Sequence, residues 1–476
     1  MSLDDVIARV RPESVVGDPH GVLVRDVQFD HRRVQASAGG GDLFCCVPGE
    51  HSDGHAHAGE AARAGAVALL CERPIGDAGH TPQIVVGVGR SRAAMAEAAC
   101  TVHHDPAAKL RTVGVTGTNG KTTTTYLLRS VLEAEGWPTS VIGTLGGART
   151  TPEAPDLQRQ FATVVTDGGR AVALEVTSHA LVQHRVDGYT HDVAVFTNLS
   201  QDHLDYHGSM ERYFDAKAEL FTPERARRGV VNVDDPYGER LMERAAIPVT
   251  GFRLADAERL EMSLEASRFV LDGHAVHLHL TGEPNVRNAL AAAAAARALG
   301  ASVAGVAAGL SAANGVPGRF ERVENALGLA VIVDYAHTPS AMEEALAAIR
   351  PLSGGGRLIV VFGAGGDRDR EKRPLMGRAA TRSADVAVLT SDNPRHEDPL
   401  DIIREVEIGC DGAADLFVEP DRRAAIAFAL DLAGALDVVV VAGKGHETTQ
   451  QVGDEMAEFN DRDVVRNEAA RLATER

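Results

Sequence analysis

The sequence predicts an α/β protein of three domains, and three observations support this prediction. The chain has 476 residues, which is the length of about three average domains. Short apolar runs alternate with helical segments, as in parallel sheets covered by helices. Segments rich in glycine and proline separate the series of runs. We expect a smaller N-terminal α/β domain over 1–108, a central domain with a parallel sheet and a P-loop over 109–317, and a C-terminal Rossmann-like α/β domain over 318–476.

The N-terminal domain is expected to contain short strands between turns rich in Gly, Asp and His. The candidate strands are DLFCCV (42–47), AVALLC (66–71) and QIVVGV (83–88). The segment TVHHDPAAKL (101–110) contains a proline and is expected to be a linker. No metal-ligand spacing relates the histidines of these turns, which we expect to be solvated: His55, His57, His103 and His104.

The central domain opens with the β-branched run TVGVT (112–116), which enters a glycine-rich turn. A helical pattern follows and ends at Gly136. Further strands are predicted at AVALEV (171–176), VAVFTNL (193–199) and GVVNV (229–233).

A second series of strands begins after the Gly/Pro-rich segment 314–320. Its near-continuous apolar character favours a sheet with helices on both faces. The strands are LAVIVDYA (329–336), LIVVFGAG (358–365), DVAVLT (385–390) and DVVVVAG (437–443).

Composition excludes several classes of protein. The chain has 48 basic and 67 acidic side chains, a net charge of −19, so a nucleic-acid partner is not expected and any anionic ligand needs a locally positive site. The five cysteines are scattered without a CxxC pair, which fits a reducing compartment. The acidic N-terminus lacks the features of a signal peptide, and no run of 18 apolar residues exists. We expect a cytoplasmic protein without membrane insertion.

A phosphate-binding loop is predicted between the strand at 112–116 and the following helix. Backbone N–H groups and the helix N-terminus can hold phosphate oxygens, lysine adds a positive charge, and a hydroxyl can bind Mg²⁺. The pattern is the short GxxGKTT form rather than the longer GxxxxGK[ST] form. The loop consists of Gly117, Thr118, Asn119, Gly120, Lys121, Thr122 and Thr123.

Acidic and histidine side chains follow the next two strands. Glu175 ends the strand at 171–176, and Asp202, His203 and Asp205 follow the strand at 193–199. Because ligands bind at the carboxyl ends of parallel strands, Glu175 is placed to hold Mg²⁺ on a nucleotide. Taken alone, the group around His203 would more often be a turn. Lys217, on a partly apolar helix, would ordinarily extend to solvent.

Together these motifs resemble the Mur ligase family of ATP-dependent amide-bond-forming enzymes. The resemblance covers nearly the whole chain and rests on motifs that occur in the family's order: GTNGKTT (117–123), EVTSHAL (175–181), FTNLSQDHLDYHG (196–208), DAKAELF (215–221), GRFERV (318–323) and DYAHTP (334–339).

The resemblance implies a mechanism and a set of cofactors. A substrate carboxylate attacks the γ-phosphate of ATP, and an amine displaces phosphate from the resulting acyl phosphate. The family implies two Mg²⁺ ions, held by Thr122, Glu175, His203 and a carbamylated Lys217, and the catalytic set Lys121, Glu175, His203 and Lys217. It adds Asn288, Arg319 and Asp334 to the ATP site.

Five further segments carry a closer resemblance: TTPEAPDLQ (150–158), SHALVQHR (178–185), GGDRDREKRPLMG (365–377), SDNPRHEDP (391–399) and AGKGHETTQ (442–450). They are similar to the branch of the family that adds the third amino acid of the peptidoglycan stem to UDP-N-acetylmuramoyl-L-alanyl-D-glutamate. This resemblance implies a muramyl-dipeptide site with His31, Thr150, Thr151, Thr177, Gln183 and Arg185. It also implies an amino-acid site with Arg368, Asp392, Asn393, Pro394, Arg395, Gly443 and Glu447. An arginine at 395 favours diaminopimelate over lysine, because it can pair with the distal carboxylate. A monomer is expected.

Two departures from the family pattern leave alternatives open. His31 replaces the serine expected to contact uracil, and Gly39–Gly41 lengthens the adjacent loop. A paralogue that joins an amino acid to a different carboxylate is therefore one alternative, as in secondary metabolism. A non-catalytic ATP-binding assembly module is the other, although it would have no physical need for the metal-binding residues.

Overall fold

The computed structural model describes residues 1–37, 39–49, 52–147 and 149–475. Strands and helices alternate through these ranges and form several separate sheets. The predicted α/β fold class is confirmed. Within the same ranges, none of the helices combines the length and the apolar character needed to cross a lipid bilayer.

The N-terminal region contains a small mixed sheet and three helices. The strands are β1 (Ser14–Val16), β2 (Val24–Gln28), β3 (Ala36–Ser37), β4 (Gly40–Cys45), β5 (Ala68–Cys71) and β6 (Gln83–Val85), and the helices are α1 (Leu3–Val10), α2 (Ala58–Ala64) and α3 (Ser91–Val102). The order of the strands in the sheet is β1–β6–β5–β4–β2, and β3 pairs with β4. Much of segment 101–110 is helical, since α3 runs into it and a 3₁₀ turn spans Pro106–Lys109.

The middle region is built on a parallel sheet. Its strands are β7 (Arg111–Thr116), β8 (Thr139–Ile142), β9 (Ala171–Glu175), β10 (His191–Phe196), β11 (Ala226–Asn232) and β12 (Val249–Phe252). The order β12–β11–β10–β7–β9–β8 places β7 between β9 and β10. Chain order therefore reverses at β7, and such a reversal opens a crevice at the carboxyl ends of the strands.

Helices cover both faces of this sheet. They are α4 (Lys121–Ala134), α5 (Ala154–Thr166), α6 (Ser178–Val182), α7 (Leu204–His207), α8 (Met210–Ala218), α9 (Pro236–Arg244), α10 (Glu283–Ala298) and α11 (Val303–Ala312). The alanine-rich face of α10 packs closely beside α4, because alanine lets helices approach one another and the sheet. On the opposite face, Phe161 of α5 and Phe214 of α8 are fully buried.

A small antiparallel sheet precedes α10, and the apolar runs of the sequence did not predict it. Its strands are β13 (Glu258–Met262), β14 (Ser267–Leu271) and β15 (His274–Leu278). Only alternate residues are apolar and buried, such as Phe269, Val276 and Leu278, which join the core under α11.

The C-terminal region contains a second large sheet. Its strands are β16 (Glu321–Arg322), β17 (Ala330–Asp334), β18 (Leu358–Phe362), β19 (Val386–Leu389), β20 (Asp415–Val418) and β21 (Val438–Ala442), followed by the hairpin β22 (Thr449–Val452) and β23 (Glu455–Glu458). The order is β16–β17–β21–β18–β19–β20, parallel except at β16. The helices are α12 (Pro339–Ile349), α13 (Lys372–Ser383), α14 (Pro399–Glu407), α15 (Arg422–Leu432) and α16 (Asp461–Glu475).

Candidate active site

A cavity of about 580 Å³ lies between the middle and C-terminal regions. Loops after β7, β9 and β10 form one wall, and loops after β17, β18, β19 and β21 form the other. Most of the residues predicted for the site line this one cavity: Thr118, Asn119, Gly120, Lys121, Thr122, Thr123, Thr150, Glu175, Thr177, His203, Asn288, Arg319, Asp334, Arg368, Asp392, Asn393, Arg395, Gly443 and Glu447.

The predicted phosphate loop links β7 to the N-terminus of α4. Gly120 has a φ of 85°, and a Cβ at this position would lie 2.3 Å from Oδ1 of Asn288. The Lys121 ammonium folds back and donates to the carbonyl oxygens of Gly117 and Thr118, at 2.9 and 2.8 Å. Burial lowers the pKa of Lys121, and Arg319 acts in the same direction. A phosphate would replace two neutral acceptors with a charged one.

Residues that follow β10 fix the loop from the side. Thr197 donates to the Asn119 carbonyl at 2.6 Å, and Oδ1 of Asn198 accepts from the Asn119 N–H at 2.9 Å. The Thr118 hydroxyl lies 3.2 Å from the Tyr213 hydroxyl. These bonds fix the conformation of the phosphate loop.

Glu175 lies at the end of β9 with 1% of its surface exposed. Its carboxylate accepts from the Thr122 hydroxyl at 2.9 Å and from the N–H and hydroxyl of Thr144 at 2.9 and 3.2 Å. A carboxylate, two hydroxyls and the phosphate loop thus meet at one point. Oxygen donors of this kind suit a hard cation such as Mg²⁺.

Lys217 does not reach solvent as a lysine on a partly apolar helix usually does. It is 1% exposed, lies beneath the phosphate loop and donates to the Gly117 carbonyl at 2.9 Å. Its ammonium also lies over the Tyr213 ring, 4.7 Å from the centroid. Burial, reinforced by the charge of Lys121, lowers its pKa well below the usual value. The neutral amine is therefore favoured far more than in water.

A group of histidines borders the cavity beside this lysine. The His203 ring packs edge-on against that of His179, with centroids 4.8 Å apart. Burial lowers the pKa of His179 to about 4 and also lowers that of His203. Burial raises the pKa of Asp202, but the charges of His203 and Lys372 outweigh it and lower the pKa overall. Neutral imidazoles beside a carboxylate are competent metal ligands.

The residues predicted for the muramyl dipeptide form a cluster beside Glu175. Thr151 donates to the Glu175 backbone carbonyl at 2.7 Å and accepts from the N–H of Thr177 at 3.1 Å. Arg185 donates to the carbonyl of Thr151 at 3.1 Å and to Oε1 of Gln183 at 2.6 Å. Thr150 and Thr177 line the cavity, whereas Thr151, Gln183 and Arg185 stand behind them.

Arg185 is paired with an acidic residue that the sequence did not single out. Glu153 lies 2.9 Å from the Arg185 guanidinium, and both side chains are 8% exposed. Arg92 of α3 and Arg149 also approach Glu153, at 3.5 and 3.6 Å. Three guanidinium groups around one carboxylate leave an excess of positive charge beside the cavity.

Arg319 and Asp334 connect the two walls of the cavity. Asp334 ends β17 and accepts from the N–H of Phe320 at 2.8 Å, and burial raises its pKa. The Arg319 guanidinium stacks over the Tyr335 ring at 4.4 Å and lies 3.5 Å from the Thr122 hydroxyl. One arginine thus reaches from the C-terminal region to the phosphate loop.

The C-terminal wall of the cavity carries separated positive and negative groups. Arg368 and Arg395 line it, and among the described residues neither has a carboxylate oxygen within 4.0 Å. Arg395 donates to the Gly366 carbonyl at 2.5 Å. Glu447 accepts from Asn393 at 2.6 Å, and burial together with Asp392 raises its pKa.

Two other residues predicted for this wall have backbone roles. A Cβ at Gly443 would lie 2.3 Å from Oδ2 of Asp392, so only glycine fits there without displacing that carboxylate. Pro394 does not line the cavity, but it holds the chain between Asn393 and Arg395. With Glu447 for an ammonium and with Arg368 and Arg395 for carboxylates, the wall can bind an amino acid.

His31 does not line the cavity. It lies in a 3₁₀ turn of the N-terminal region, 3.3 Å from the Glu60 carboxylate and stacked on His57. The predicted nucleotide-sugar residues are thus divided between this region and the middle region.

Several residues at the site escaped the sequence analysis. Thr197 follows the end of β10, which the sequence predicted, so the strand-end rule that found Glu175 could have found it. Thr144 follows β8, a strand that the sequence analysis did not predict. Tyr213 lies on α8 and Glu153 lies just before α5, and no motif in the surrounding sequence indicates a role for either residue. Their roles follow from contacts with residues distant in the chain.

Two protein-family models match the chain. The model described as Mur ligase middle domain matches residues 115–296. The model described as Mur ligase, glutamate ligase domain, matches residues 318–445. Apart from Glu447, the residues that line the cavity fall within these two matches.

Curated relatives share the same name. The UDP-N-acetylmuramoyl-L-alanyl-D-glutamate--2,6-diaminopimelate ligase of Geobacillus thermodenitrificans (strain NG80-2) is 45% identical over 92% of this chain and 94% of its own length. The ligase of the same name from Streptomyces coelicolor (strain ATCC BAA-471 / A3(2) / M145) is 42% identical over 97% of this chain and 95% of its own.

Solved structures share the fold. A structure of a ligase with the same name has a TM-score of 0.70 at 31% identity and covers 99% of each chain. The MurF ligase from Thermotoga maritima in complex with ADP has a TM-score of 0.62 at 20% identity, covering 95% of this chain and 97% of its own, which indicates a common fold alone.

Proposed function

The chain belongs to the Mur ligase family, and on this premise we propose that it joins diaminopimelate to UDP-N-acetylmuramoyl-L-alanyl-D-glutamate with hydrolysis of ATP to ADP and phosphate. The relatives that carry this name align over nearly the whole chain at 39–45% identity. We further propose that the reaction takes place in the cytoplasm, where ATP and UDP-sugars are available, and that the enzyme works as a monomer.

One observation carries the proposal: the phosphate loop and the separated positive and negative groups of the C-terminal wall face one cavity. A phosphate-binding loop alone would fit any nucleotide hydrolase. The wall of Arg368, Arg395 and Glu447 adds a place for a zwitterion. A ligase that activates one carboxylate and joins it to an amino acid needs both sites within reach of each other.

Magnesium fits the donors around Glu175. Glu175 and Thr122 would hold one ion on the nucleotide phosphates, and His203 with Lys217 as a carbamate would hold a second. The ions would neutralise charge on the phosphates during transfer. Thr122 donates a hydrogen bond to Glu175, so both groups lie beside the phosphate loop.

The environment of Lys217 favours its carbamylation. Carbon dioxide reacts with a neutral amine, and burial lowers the pKa of this one. A buried ammonium beside Lys121 would repel Mg²⁺, whereas a carbamate would supply anionic oxygens to it. Lys217 lies beneath the phosphate loop, and a carbamate on it would share the second metal site with His203.

The chain's own groups would then direct the first chemical step. Lys121 would leave the carbonyl oxygens of the loop and bind the β- and γ-phosphates. The arginine cluster around Glu153 would attract the anionic dipeptide, while Thr150 and Thr177 orient its terminal carboxylate toward the γ-phosphate. The carboxylate oxygen attacks phosphorus, the bond to ADP breaks, and an acyl phosphate forms.

The C-terminal wall would direct the second step. Glu447 would hold the amino acid by its ammonium end, and Arg368 and Arg395 would bind carboxylates. After losing a proton, the amine attacks the acyl carbon and phosphate leaves, so that the amide bond forms. Lysine has a hydrogen where diaminopimelate carries its distal carboxylate, so Arg395 would be left without a partner and its charge would repel the lysine ammonium.

A phosphate-release assay tests the proposal directly. ATP should be cleaved only when the muramyl dipeptide and diaminopimelate are both present, and mass spectrometry should detect the tripeptide product. Turnover with diaminopimelate and a different carboxylate acceptor would instead identify a paralogue. ATP binding without turnover on any acceptor would identify a non-catalytic module.

A further inference from the structure

A cluster of two histidines and one glutamate lies on the N-terminal region, outside the cavity. His31 belongs to the 3₁₀ turn His31–Arg33, His57 ends the turn Gly54–His57, and Glu60 lies in the first turn of α2. Nε2 of His31 and Nδ1 of His57 lie 3.3 and 3.5 Å from the same oxygen of Glu60. The three ligand atoms all lie within 4.8 Å of one another.

We propose that His31, His57 and Glu60 bind a borderline divalent transition-metal ion of the Zn²⁺ class. In a tetrahedral site with metal–ligand bonds of about 2.0–2.1 Å, the ligand atoms stand roughly 3.4 Å apart. Both separations from the Glu60 oxygen match this value. The two nitrogens need only a modest rotation of the partly exposed rings to reach it.

Contacts around the cluster orient its ligands. The imidazole rings of His31 and His57 stack with centroids 4.3 Å apart and an angle of 8° between their planes, so one ring must tilt out of the stack for both nitrogens to face one ion. The second nitrogen of His57, Nε2, lies 3.0 Å from the Ser52 hydroxyl. A hydrogen bond to the second nitrogen is the usual way in which a protein fixes the tautomer of a metal-binding histidine.

The neighbouring histidine does not belong to the cluster. Both nitrogens of His55 are occupied, because Nδ1 lies 2.6 Å from the Asp53 carboxylate and Nε2 accepts from the N–H of Glu72 at 2.9 Å. His55 is buried, contrary to the prediction of a solvated turn. Two imidazoles with one carboxylate favour Zn²⁺, Co²⁺ or Ni²⁺ over Mg²⁺, which prefers oxygen ligands. All three ligands are partly exposed, so an ion can enter and a water can complete the coordination.

Metal titration of the chelator-treated full-length protein tests this site. Excess Mg²⁺ is kept present to occupy the hard-cation positions of the cavity. Isothermal titration with Zn²⁺ should give one saturable site, and Co²⁺ should give the intense visible absorption of tetrahedral coordination. We expect His31→Ser, His57→Ala and Glu60→Gln each to weaken Zn²⁺ binding by about tenfold or more.

His20→Ala is the matched control, because His20 is an exposed histidine of the same region whose ring lies 3.4 Å from a single carboxylate, that of Asp4. It should bind Zn²⁺ like the unmodified protein. Glu60 is exposed, so Glu60→Gln should keep the fold, which thermal melting checks. The proposal is overturned if the unmodified protein shows no saturable Zn²⁺ site, or if the three ligand variants bind Zn²⁺ as tightly as His20→Ala does.

Discussion

Replacing Arg395 by alanine removes a guanidinium that faces the proposed diaminopimelate site and that has no carboxylate partner among the described residues. One of its nitrogens donates to the Gly366 carbonyl, which leaves the remaining N–H groups for a ligand. A carboxylate about 4 Å from this guanidinium has a Coulomb attraction to it of roughly 4 kcal/mol at the effective dielectric constant of a partly open site. The variant should therefore bind diaminopimelate less tightly while the nucleotide site stays intact.

The magnitude follows from the surroundings of Arg395. Truncation of one partner in a buried charge pair costs about 2–5 kcal/mol. Arg368 lines the same wall and retains part of the positive charge, so we expect the lower end, about 2–3 kcal/mol. At 1.4 kcal/mol per factor of ten, this corresponds to a rise of about 30- to 150-fold in KM for diaminopimelate. The KM of Arg395→Lys for diaminopimelate should lie between those of the unmodified protein and Arg395→Ala, because lysine keeps the positive charge and loses the bidentate geometry of the guanidinium.

Steady-state phosphate release, with the amino acid varied at saturating ATP and muramyl dipeptide, measures this effect. KM for ATP should not change, and the preference for diaminopimelate over lysine should fall. Arg378→Ala is the control, because that arginine is half exposed on α13, pairs with Asp411 at 3.4 Å and does not line the cavity. A rise in KM of less than about threefold, or an equal rise for lysine, would refute the assigned contact.

Three further predictions concern buried groups. Lys217→Ala should lower kcat at least about 100-fold, and acetate or bicarbonate should restore part of the activity if a carboxylate-like group is what the site needs. Glu175→Gln should raise the Mg²⁺ concentration for half-maximal activity roughly 10- to 100-fold, while thermal melting changes little because the amide can still bond to Thr122 and Thr144. Burial lowers the pKa of His191 to about 3, so the unfolded chain takes up a proton first and the free energy of unfolding falls as the pH drops from 6.5 toward 3. Urea unfolding should show a shallower pH dependence in His191→Gln.

Each of these has a result that contradicts it. Full activity in Lys217→Ala would exclude a role for the carbamate. An unchanged Mg²⁺ requirement in Glu175→Gln would remove that carboxylate from the metal site. Equal pH slopes for His191→Gln and the unmodified protein would show that this imidazole is already solvated.

The sequence predicted the eight central strands of the two large sheets, because each is largely an apolar run, and it missed the edge strands β8, β12, β16 and β20. LIVVF (358–362) and VVVVA (438–442) are buried on both faces and admit few other interpretations. Strands β13–β15 were missed because one face is solvated and charged residues interrupt the pattern, as in ERLEM (258–262). The domain boundaries at 108 and 317 and the roles of the site residues stay predictions.

The sequence by itself determined the kinds of chemical group that this protein presents. A glycine-rich turn between a strand and a helix indicates a phosphate site, and a DNPR segment (392–395) supplies an arginine for a carboxylate. These signals are local, because each depends on a few consecutive residues whose backbone conformation their own types restrict. The α/β fold class follows from a similar local alternation.

Only the tertiary structure decided which groups meet and which charges they carry. Glu175, Arg319 and Arg395 are more than 70 positions apart in the chain, yet they line one cavity because parallel strands end at the same edges of two facing sheets. Lys217 would reach solvent on most helices, but here it lies under the phosphate loop and its pKa falls. Burial and the charges of residues distant in sequence set protonation, and both depend on the packed fold.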